Sequence, residues 1–395
     1  MAPSSSIAHF ALDPTIVQLN HGSFGACPRE VLDAQARFRS AMEASPTAFF
    51  VRELPELLER SRAALARFVE ADPRDLVFVR NATQAVGAVL ASARLTPGDE
   101  LCTTSHAYGA CRNALQHWAG RAGARVVVAD VPFPIRGPEE VVAAVLDAVT
   151  ERTRLVLLDH VTSPTALVLP IEPLIRALEA RGVAVLVDGA HAPGMLPLAL
   201  GSLGASYYTG NLHKWVCAPK GVGFLHVRRD RQSDLHPAVI SHGYTSRRQR
   251  GRFLEEFDWV GTDDFTPALC LPAALECVPR IAGGTWETVR RRNHELTLRA
   301  RDLLCAALAT EPPAPDAMLG SMATLTLPFT GAPARSAWDV DPLQLALYDE
   351  YRIEVPLFAW PTPETRQLRV SAQLYNRLED YEGLAHALAA LRTPS

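Results

Sequence analysis

The strongest constraint in this sequence is a repeating exchange of short apolar, β-branched runs with stretches of helical period. The runs fall at Leu76 to Arg80, Glu100 to Thr104, Arg125 to Ala129, Arg154 to Leu158, Val183 to Val187, Ala205 to Tyr208 and Val222 to Val227. Most are separated by enough chain for a helix, and two parallel strands need such a crossover, so the rhythm predicts βαβ units wound into a mostly parallel seven-stranded sheet. Leu155 to Leu158 and Val183 to Val187 are almost wholly apolar, as expected of strands covered by helices on both faces. In a sheet of that kind the chemistry gathers where the strands end.

Beyond Gly261 the pattern changes. Long helices are expected at Pro267 to Ile281 and Trp286 to Leu308, a strand at Met322 to Leu327, a helix at Pro342 to Tyr351 and a strand at Gln367 to Ser371, which together read as a smaller α+β domain. A chain of 395 residues exceeds the roughly 50 to 250 of one domain, so a large domain over 51–260 and a small one over 261–395 are expected. No internal repeat is visible, and the linker-like stretches Glu311 to Asp316 and Pro328 to Ala334 are too short to separate independent modules.

Composition excludes several classes. Lys plus Arg number 39 against 43 Asp plus Glu, a net charge of −4, so no basic field invites nucleic acid. The densest cationic patch, Arg247, Arg248, Arg250 and Arg252, is short and reads as a solvated loop. No segment reaches the roughly 18 apolar residues of a membrane helix, and the N-terminus lacks a signal-peptide pattern, so a cytoplasmic protein without a membrane partner is expected. The seven cysteines are scattered and never form C-x-x-C; they predict buried small side chains, with neither a disulfide framework nor a metal site.

Three segments carry chemistry. In AVLVDGAHAPG, from Ala184, a carboxylate (Asp188) leaves the end of a buried strand; alone it reads equally well as a turn or helix-capping Asp. About 26 residues on, TGNLHKW presents Lys214 behind Asn211 and His213. A lone lysine in a turn is usually a surface residue. A Schiff-base lysine together with a carboxylate able to pair with a pyridinium nitrogen is, however, what pyridoxal 5'-phosphate (PLP) demands. Asn81-Ala82-Thr83 opens a predicted helix just after a strand, where backbone amides and the helix dipole suit a phosphate; a plain helix cap is compatible with that role. His106 follows another strand and stands either as a ring to stack on a cofactor or as a hydrogen-bonded structural histidine.

The set LNHGSFG (Leu19 to Gly25), NAT (Asn81 to Thr83), SHAYGA (Ser105 to Ala110), SPTALVLP (Ser163 to Pro170), VDGAHAPG (Val187 to Gly194), GNLHKW (Gly210 to Trp215), WVGTDD (Trp259 to Asp264) and LRVSAQLYN (Leu368 to Asn376) resembles class V aminotransferase-like PLP enzymes of fold type I. The isopenicillin N epimerase-like subgroup is the nearest in look, and the likeness spans nearly the whole chain. It implies an α/β fold with Lys214 holding PLP as an internal aldimine and shuttling the Cα proton, and Asp188 pairing with the pyridinium nitrogen. It further implies His106 stacked on the ring, His191 bonded to the phenolic oxygen, and phosphate bound by Ala82, Thr83, Asn211 and His213. Thr262 would reach the phosphate of a neighbouring subunit, implying a homodimer with shared sites. Arg369 would clamp the substrate α-carboxylate. Asn20, His21 and Gly22 would close over the site from an N-terminal segment, 1–50, that joins the small domain and the entrance.

The sequence also departs from relatives. Cysteine desulfurases of the class carry a nucleophilic Cys shortly before the carboxylate-binding Arg, whereas Arg352 to Ser371 contains none, which argues against persulfide chemistry. Asn211 stands where many relatives have Ser. No second acid or base opposite Lys214, as an epimerase requires, is identifiable. Phe49, Phe50 and Arg52 are expected to be helix packing with an exposed Arg, or else part of the entrance. His242, Gly243 and Tyr244 are not expected to be catalytic.

The resulting expectation is an enzyme that acts on a small amino-acid substrate through a quinonoid carbanion. A β-eliminating carbon–sulfur lyase on an S-substituted cysteine, in secondary metabolism, leads. Epimerisation, decarboxylation-coupled oxidative deamination and transamination are the alternatives. A non-catalytic relative is disfavoured by the intact Lys214, Asp188 and Arg369. A dehydrogenase is disfavoured because NATQAVG replaces a G-x-G-x-x-G turn.

Overall fold

The computed structural model describes residues 6–246, 250–329 and 339–392. Its large sheet contains β1 (Leu76–Val79), β2 (Glu100–Thr104), β3 (Arg125–Ala129), β4 (Thr153–Asp159), β5 (Ala184–Asp188), β6 (Tyr207–Asn211) and β7 (Gly223–Val227). The strand order is β1-β7-β6-β5-β4-β2-β3, and β7 alone runs antiparallel to its neighbours. The 11-residue link from β6 to β7 holds no helix and returns as a hairpin, as a connection too short for a crossover must.

Helices α1 (Arg29–Ala44), α2 (Leu54–Phe68), α3 (Ala82–Ser92), α4 (Gly109–Ala122), α5 (Pro138–Ala148) and α6 (Ile171–Glu179) precede or join these strands. The apolar strands read as expected: Val156 and Leu158 of β4 join one core with Val185 and Val187. Leu155, Leu157 and Leu186 join the other, with Val86 and Val89 of α3 and Leu115 of α4. Both faces are therefore dry, which is why these strands do not alternate.

The C-terminal part adds α7 (Leu271–Ile281), α8 (Trp286–Leu308), a three-stranded antiparallel sheet of β8 (Met322–Thr326), β9 (Leu357–Ala359) and β10 (Arg366–Ser371) in the order β9-β10-β8, and helices α9 (Pro342–Tyr351) and α10 (Leu378–Arg392). The N-terminal Val17–Gln18 pairs in parallel with Ile353–Glu354 in a separate two-stranded sheet, and the next residue, Leu19, accepts the Ser371 amide at 2.9 Å, which ties this segment to β10.

Three local expectations shift. The strand expected at Ala205 to Tyr208 lies instead at Tyr207–Asn211, because β5 and β7 flank polar residues that composition marks as loop; buried Thr209 gives its hydroxyl proton to the Phe224 carbonyl at 2.7 Å. β9 escaped notice, being three residues long. The arginine patch is ion-paired where described: Arg250 meets Glu59, Glu255 and Asp258, and Arg252 meets Glu256, while Arg247 and Arg248 lie outside the described residues. Phe49 is buried and Phe50 stands edge-on to Phe49, Trp259 and Phe265, the packing role expected of them. All seven cysteines are buried and unpaired. Among the described residues no helix is long and apolar enough to cross a membrane.

Candidate active site

β1, β2, β4, β5 and β6 end at one edge of the sheet, and the chemistry-bearing residues gather there. Lys214 lies in the hairpin after β6. Two glycines press on that loop: a Cβ on Gly25 would meet the His213 carbonyl oxygen at 2.2 Å, and one on Gly194 the Trp215 carbonyl group at 2.5 Å. Both hold positive φ, +71° and +89°, so close approach and left-handed backbone each demand glycine.

The Lys214 Nζ stands 3.2 Å from His191 Nε2. His191 Nδ1 accepts the Trp215 indole N–H at 3.4 Å, which leaves the neutral ring's proton on Nε2, the atom facing Lys214. Burial, and then the charge of Arg369, lower Lys214 to about 7, while burial holds His191 well below the usual histidine range. A neutral amine beside a directed N–H donor is thus available near neutral pH.

Asp188 closes β5. Its carboxylate accepts the Cys111 thiol at 3.2 Å and the Ala190 amide at 3.0 Å, and it makes no ion pair among the described residues. Burial raises its proton affinity against those donors and the Lys214 charge. A buried, unneutralised carboxylate is a fit for a pyridinium N–H.

The phosphate candidates meet at the start of α3. Asn81 caps the helix by accepting the Gln84 amide at 2.9 Å, and Asn211 Oδ1 accepts the Ala82 amide at 2.9 Å. Exposed Thr83 lies between them with a first-turn amide and a hydroxyl. The Ala82 amide expected to hold phosphate is therefore spent on Asn211, whose Nδ2 remains as the donor. His213 gives Nδ1–H to the Val222 carbonyl at 2.9 Å and, at about 4, is neutral, so its Nε2 donates only if an anion restores the second proton. Thr262 is exposed, beside an Asp263 that pairs with Arg80.

His106 is fully buried and locked. Its Nε2–H goes to the Val131 carbonyl at 2.9 Å, and Nδ1 accepts the Thr165 hydroxyl at 2.6 Å. Trp360 and Phe133 pack against it, with ring centres 4.6 and 6.1 Å away. The ring can present a face, as stacking on a cofactor requires, and both its nitrogens are engaged, as in a hydrogen-bonded structural histidine.

Arg369, on β10, is buried and has no acidic partner among the described residues. Its Nη1 donates to the Ser163 carbonyl at 2.7 Å and to the Ser163 hydroxyl at 3.1 Å, and Nη2 donates to the Ser23 hydroxyl at 3.0 Å. Its Nε has no partner, and burial lowers it to about 10. A buried guanidinium with a spare donor and no acidic partner can receive a carboxylate.

The N-terminal segment arrives here, with different roles from those expected. His21 Nε2 lies 3.0 Å from the Lys214 carbonyl and Nδ1 lies 2.9 Å from the Tyr375 hydroxyl; fully engaged and held near 3, it braces the lysine loop rather than touching substrate. Gly22 packs into the small sheet, its amide on the Ser371 hydroxyl at 3.1 Å. Asn20 bonds Ser23 and Glu354, so Ser23 is the residue of this segment that reaches Arg369. Ser23, Ser163 and Cys111 lacked an assigned role in the sequence, although Ser23 and Ser163 lie inside motifs whose spacing is diagnostic.

A family model described as Aminotransferase class-V matches residues 25–331. A protein named "Putative L-cysteine desulfhydrase 1" from Oryza sativa subsp. japonica is 35% identical over 95% of this chain and 83% of its own length. An isopenicillin N epimerase from Amycolatopsis lactamdurans is 37% identical over 96% of both chains. Among solved structures, a C-DES mutant with glycine covalently linked to its PLP cofactor superposes with a TM-score of 0.79, at 23% identity over 95% of this chain and 96% of that one.

Proposed function

The chain belongs to the class-V aminotransferase family of fold type I PLP enzymes, and on that premise we propose that it is a carbon–sulfur lyase removing the β-sulfur substituent of an S-substituted L-cysteine. Its cofactor is pyridoxal 5'-phosphate. The residues fit that group: a lysine amine near neutrality, a buried carboxylate without a cation, and a helix start with a first-turn amide. When bound, PLP supplies an electron sink that acidifies the substrate Cα–H.

The protein's residues do the rest. Arg369 receives the α-carboxylate through Nε and the remaining N–H of Nη2, Ser23 and Ser163 holding the fork in place. With PLP bound, His191 would offer its Nε2–H to the phenolic oxygen, and Asp188 would hold the ring-nitrogen proton. Lys214 takes the Cα proton at Nζ, after which the Cβ–S bond breaks and the sulfur leaves with its electron pair as thiolate. The remaining enamine hydrolyses to pyruvate and ammonia.

The observation that carries this reading is the asymmetry of proton-transfer groups. Lys214 has a free amine near 7, whereas both His106 nitrogens are committed, to Val131 and Thr165. Elimination needs one such base; inversion at Cα needs a second on the other face. A second reading, amino-acid epimerisation, draws on the 37% identity to the Amycolatopsis lactamdurans epimerase. The setting in secondary metabolism and a cytoplasmic location, consistent with seven free thiols, belong to the same proposal.

We also propose a homodimer. Val51, which lines a cavity of about 310 Å³, and Val239, Ile240 and Tyr244 stay exposed, as does Thr262. Light scattering on purified protein reads the mass directly. Incubation of the PLP-loaded enzyme with S-substituted L-cysteines in deuterated buffer should yield pyruvate and free thiol; intact substrate with inverted, deuterated Cα would replace elimination by epimerisation.

A further inference from the structure

Asp188 does not stand alone. β4 and β5 pair in parallel with Asp159 in register beside Asp188, each the last residue of its strand. Residues in register on neighbouring strands face the same side at a spacing of about 4.8 Å. Both are buried, at 4% and 3% exposure. Two carboxylates this close and this dry resist being ionised together.

The surroundings decide which one keeps the proton. Asp188 accepts the Cys111 thiol and the Ala190 amide and feels the Lys214 charge, all of which favour its anion. Asp159 accepts the Tyr108 amide and its own, feels the charge of Arg112, and carries the added repulsion of the Asp188 charge. Arg112 is itself engaged with the Ser105 carbonyl at 2.7 Å, and Lys214 with His191. The other titratable groups nearby, Tyr108, Tyr208 and Cys111, are all raised by burial and stay neutral. Burial, then the Asp188 charge, likewise push Asp159 well above the carboxylate range.

We propose that Asp159 is a positioning residue that carries a proton through neutral pH, leaving Asp188 the single anion offered to the cofactor's ring nitrogen. Through the Tyr108 amide it also anchors the segment that bears His106. The proposal rests on the role given to Asp188 above. Its test is nevertheless made on the cofactor-free protein, so that the two can fail separately.

Hydrogen–deuterium infrared difference spectra of the full-length apoprotein at neutral pH should show the carbonyl stretch of a buried, protonated carboxylic acid. Asp159→Asn should remove that band and Asp188→Asn should leave it. Wild-type protein lacking the band, or a band lost in Asp188→Asn and kept in Asp159→Asn, overturns the proposal, and the first of these needs no variant to fold.

Stability against pH gives an independent readout. A group whose folded-state proton affinity is raised adds stability below its unfolded value, near 3.9, and loses it as pH climbs toward the folded value. Wild type should therefore lose thermal midpoint between pH 4 and 7 relative to Asp159→Asn, whose midpoint at pH 7 should equal or exceed wild type. A variant less stable at pH 7 than at pH 4, relative to wild type, would mean an ionised, compensated Asp159 and would overturn the idea. Separately, a borohydride-reducible chromophore absent from PLP-loaded wild type would sink the cofactor role while leaving the infrared result standing.

Discussion

The two edges of the large sheet treat buried acids in opposite ways. At the amino edge Glu100, the first residue of β2, is fully buried yet surrounded by donors: Arg125 at 2.5 Å, Arg152 at 3.1 Å and the hydroxyls of Thr150 and Thr153 at 2.7 and 3.3 Å. The Thr150 hydroxyl, then Arg125 and Arg152, hold it down to about 2 against its burial. At the carboxyl edge Asp159 and Asp188 are equally dry but lack any ion pair among the described residues, and both are pushed up. A carboxylate that only staples strands is neutralised within the chain. One left uncompensated marks where a cation from outside belongs, a physical distinction that residue type alone does not make.

That contrast can be broken in several ways. The largest effect is expected from Lys214→Ala, which should cut turnover by roughly 10²- to 10⁴-fold while PLP still co-purifies through its phosphate; retained wild-type rates would remove the carboxyl edge as the site. Asp188→Asn should come next. Losing the anion opposite a developing charge costs about 10²- to 10³-fold in kcat, measured with saturating PLP, and a rate within twofold of wild type would put Asp188 in the same class as Glu100.

Arg369→Lys sharpens the same comparison for cations, because an arginine without an acid partner is being read as a substrate site. A point charge replacing a fork should raise KM about tenfold, about 1.4 kcal/mol, with a smaller change in kcat. Unchanged KM would assign Arg369 to packing.

Glu100→Gln should have the least effect on catalysis, leaving kcat and KM at wild-type values. Its signature lies in acid. A carboxylate depressed to about 2 contributes stability that is complete above its unfolded value, near 4.3, and vanishes as pH falls through the folded one. Urea midpoints of wild type and variant should differ at pH 7 and converge toward pH 2. If the gap instead persisted in acid, the Arg125 and Arg152 pairing would not be what holds Glu100.

Much of this was legible from sequence. Helices α8 and α9 run over the residues expected, because sustained helical period and, for α9, Pro342 at its first turn mark them locally. Lys214, Asp188 and Arg369 stood out as candidates because each is the chemistry-bearing residue of a short contiguous motif, and the structure buries Asp188 and Arg369 and partly buries Lys214. Failures came where neighbours in space outweighed neighbours in sequence. Thr209 to Asn211 look like loop, yet pairing with β7 along all three, and with β5 at Thr209, makes them strand. His21 sits in a motif and reads as a substrate ligand, yet Tyr375 and the Lys214 backbone claim its ring.

What the sequence by itself determined is the order of elements, the dryness of both sheet faces and the identities of the lysine, carboxylate and arginine. Those depend on the period of apolar residues and on chemistry carried within a few positions. Only the tertiary structure decided that Ser23 and Ser163 brace Arg369 across 346 and 206 residues, that Trp215 fixes the His191 proton, and that Asp159 lies against Asp188. Strand register and packing set these contacts, and a hydrogen bond depends on tenths of an ångström that no local pattern encodes.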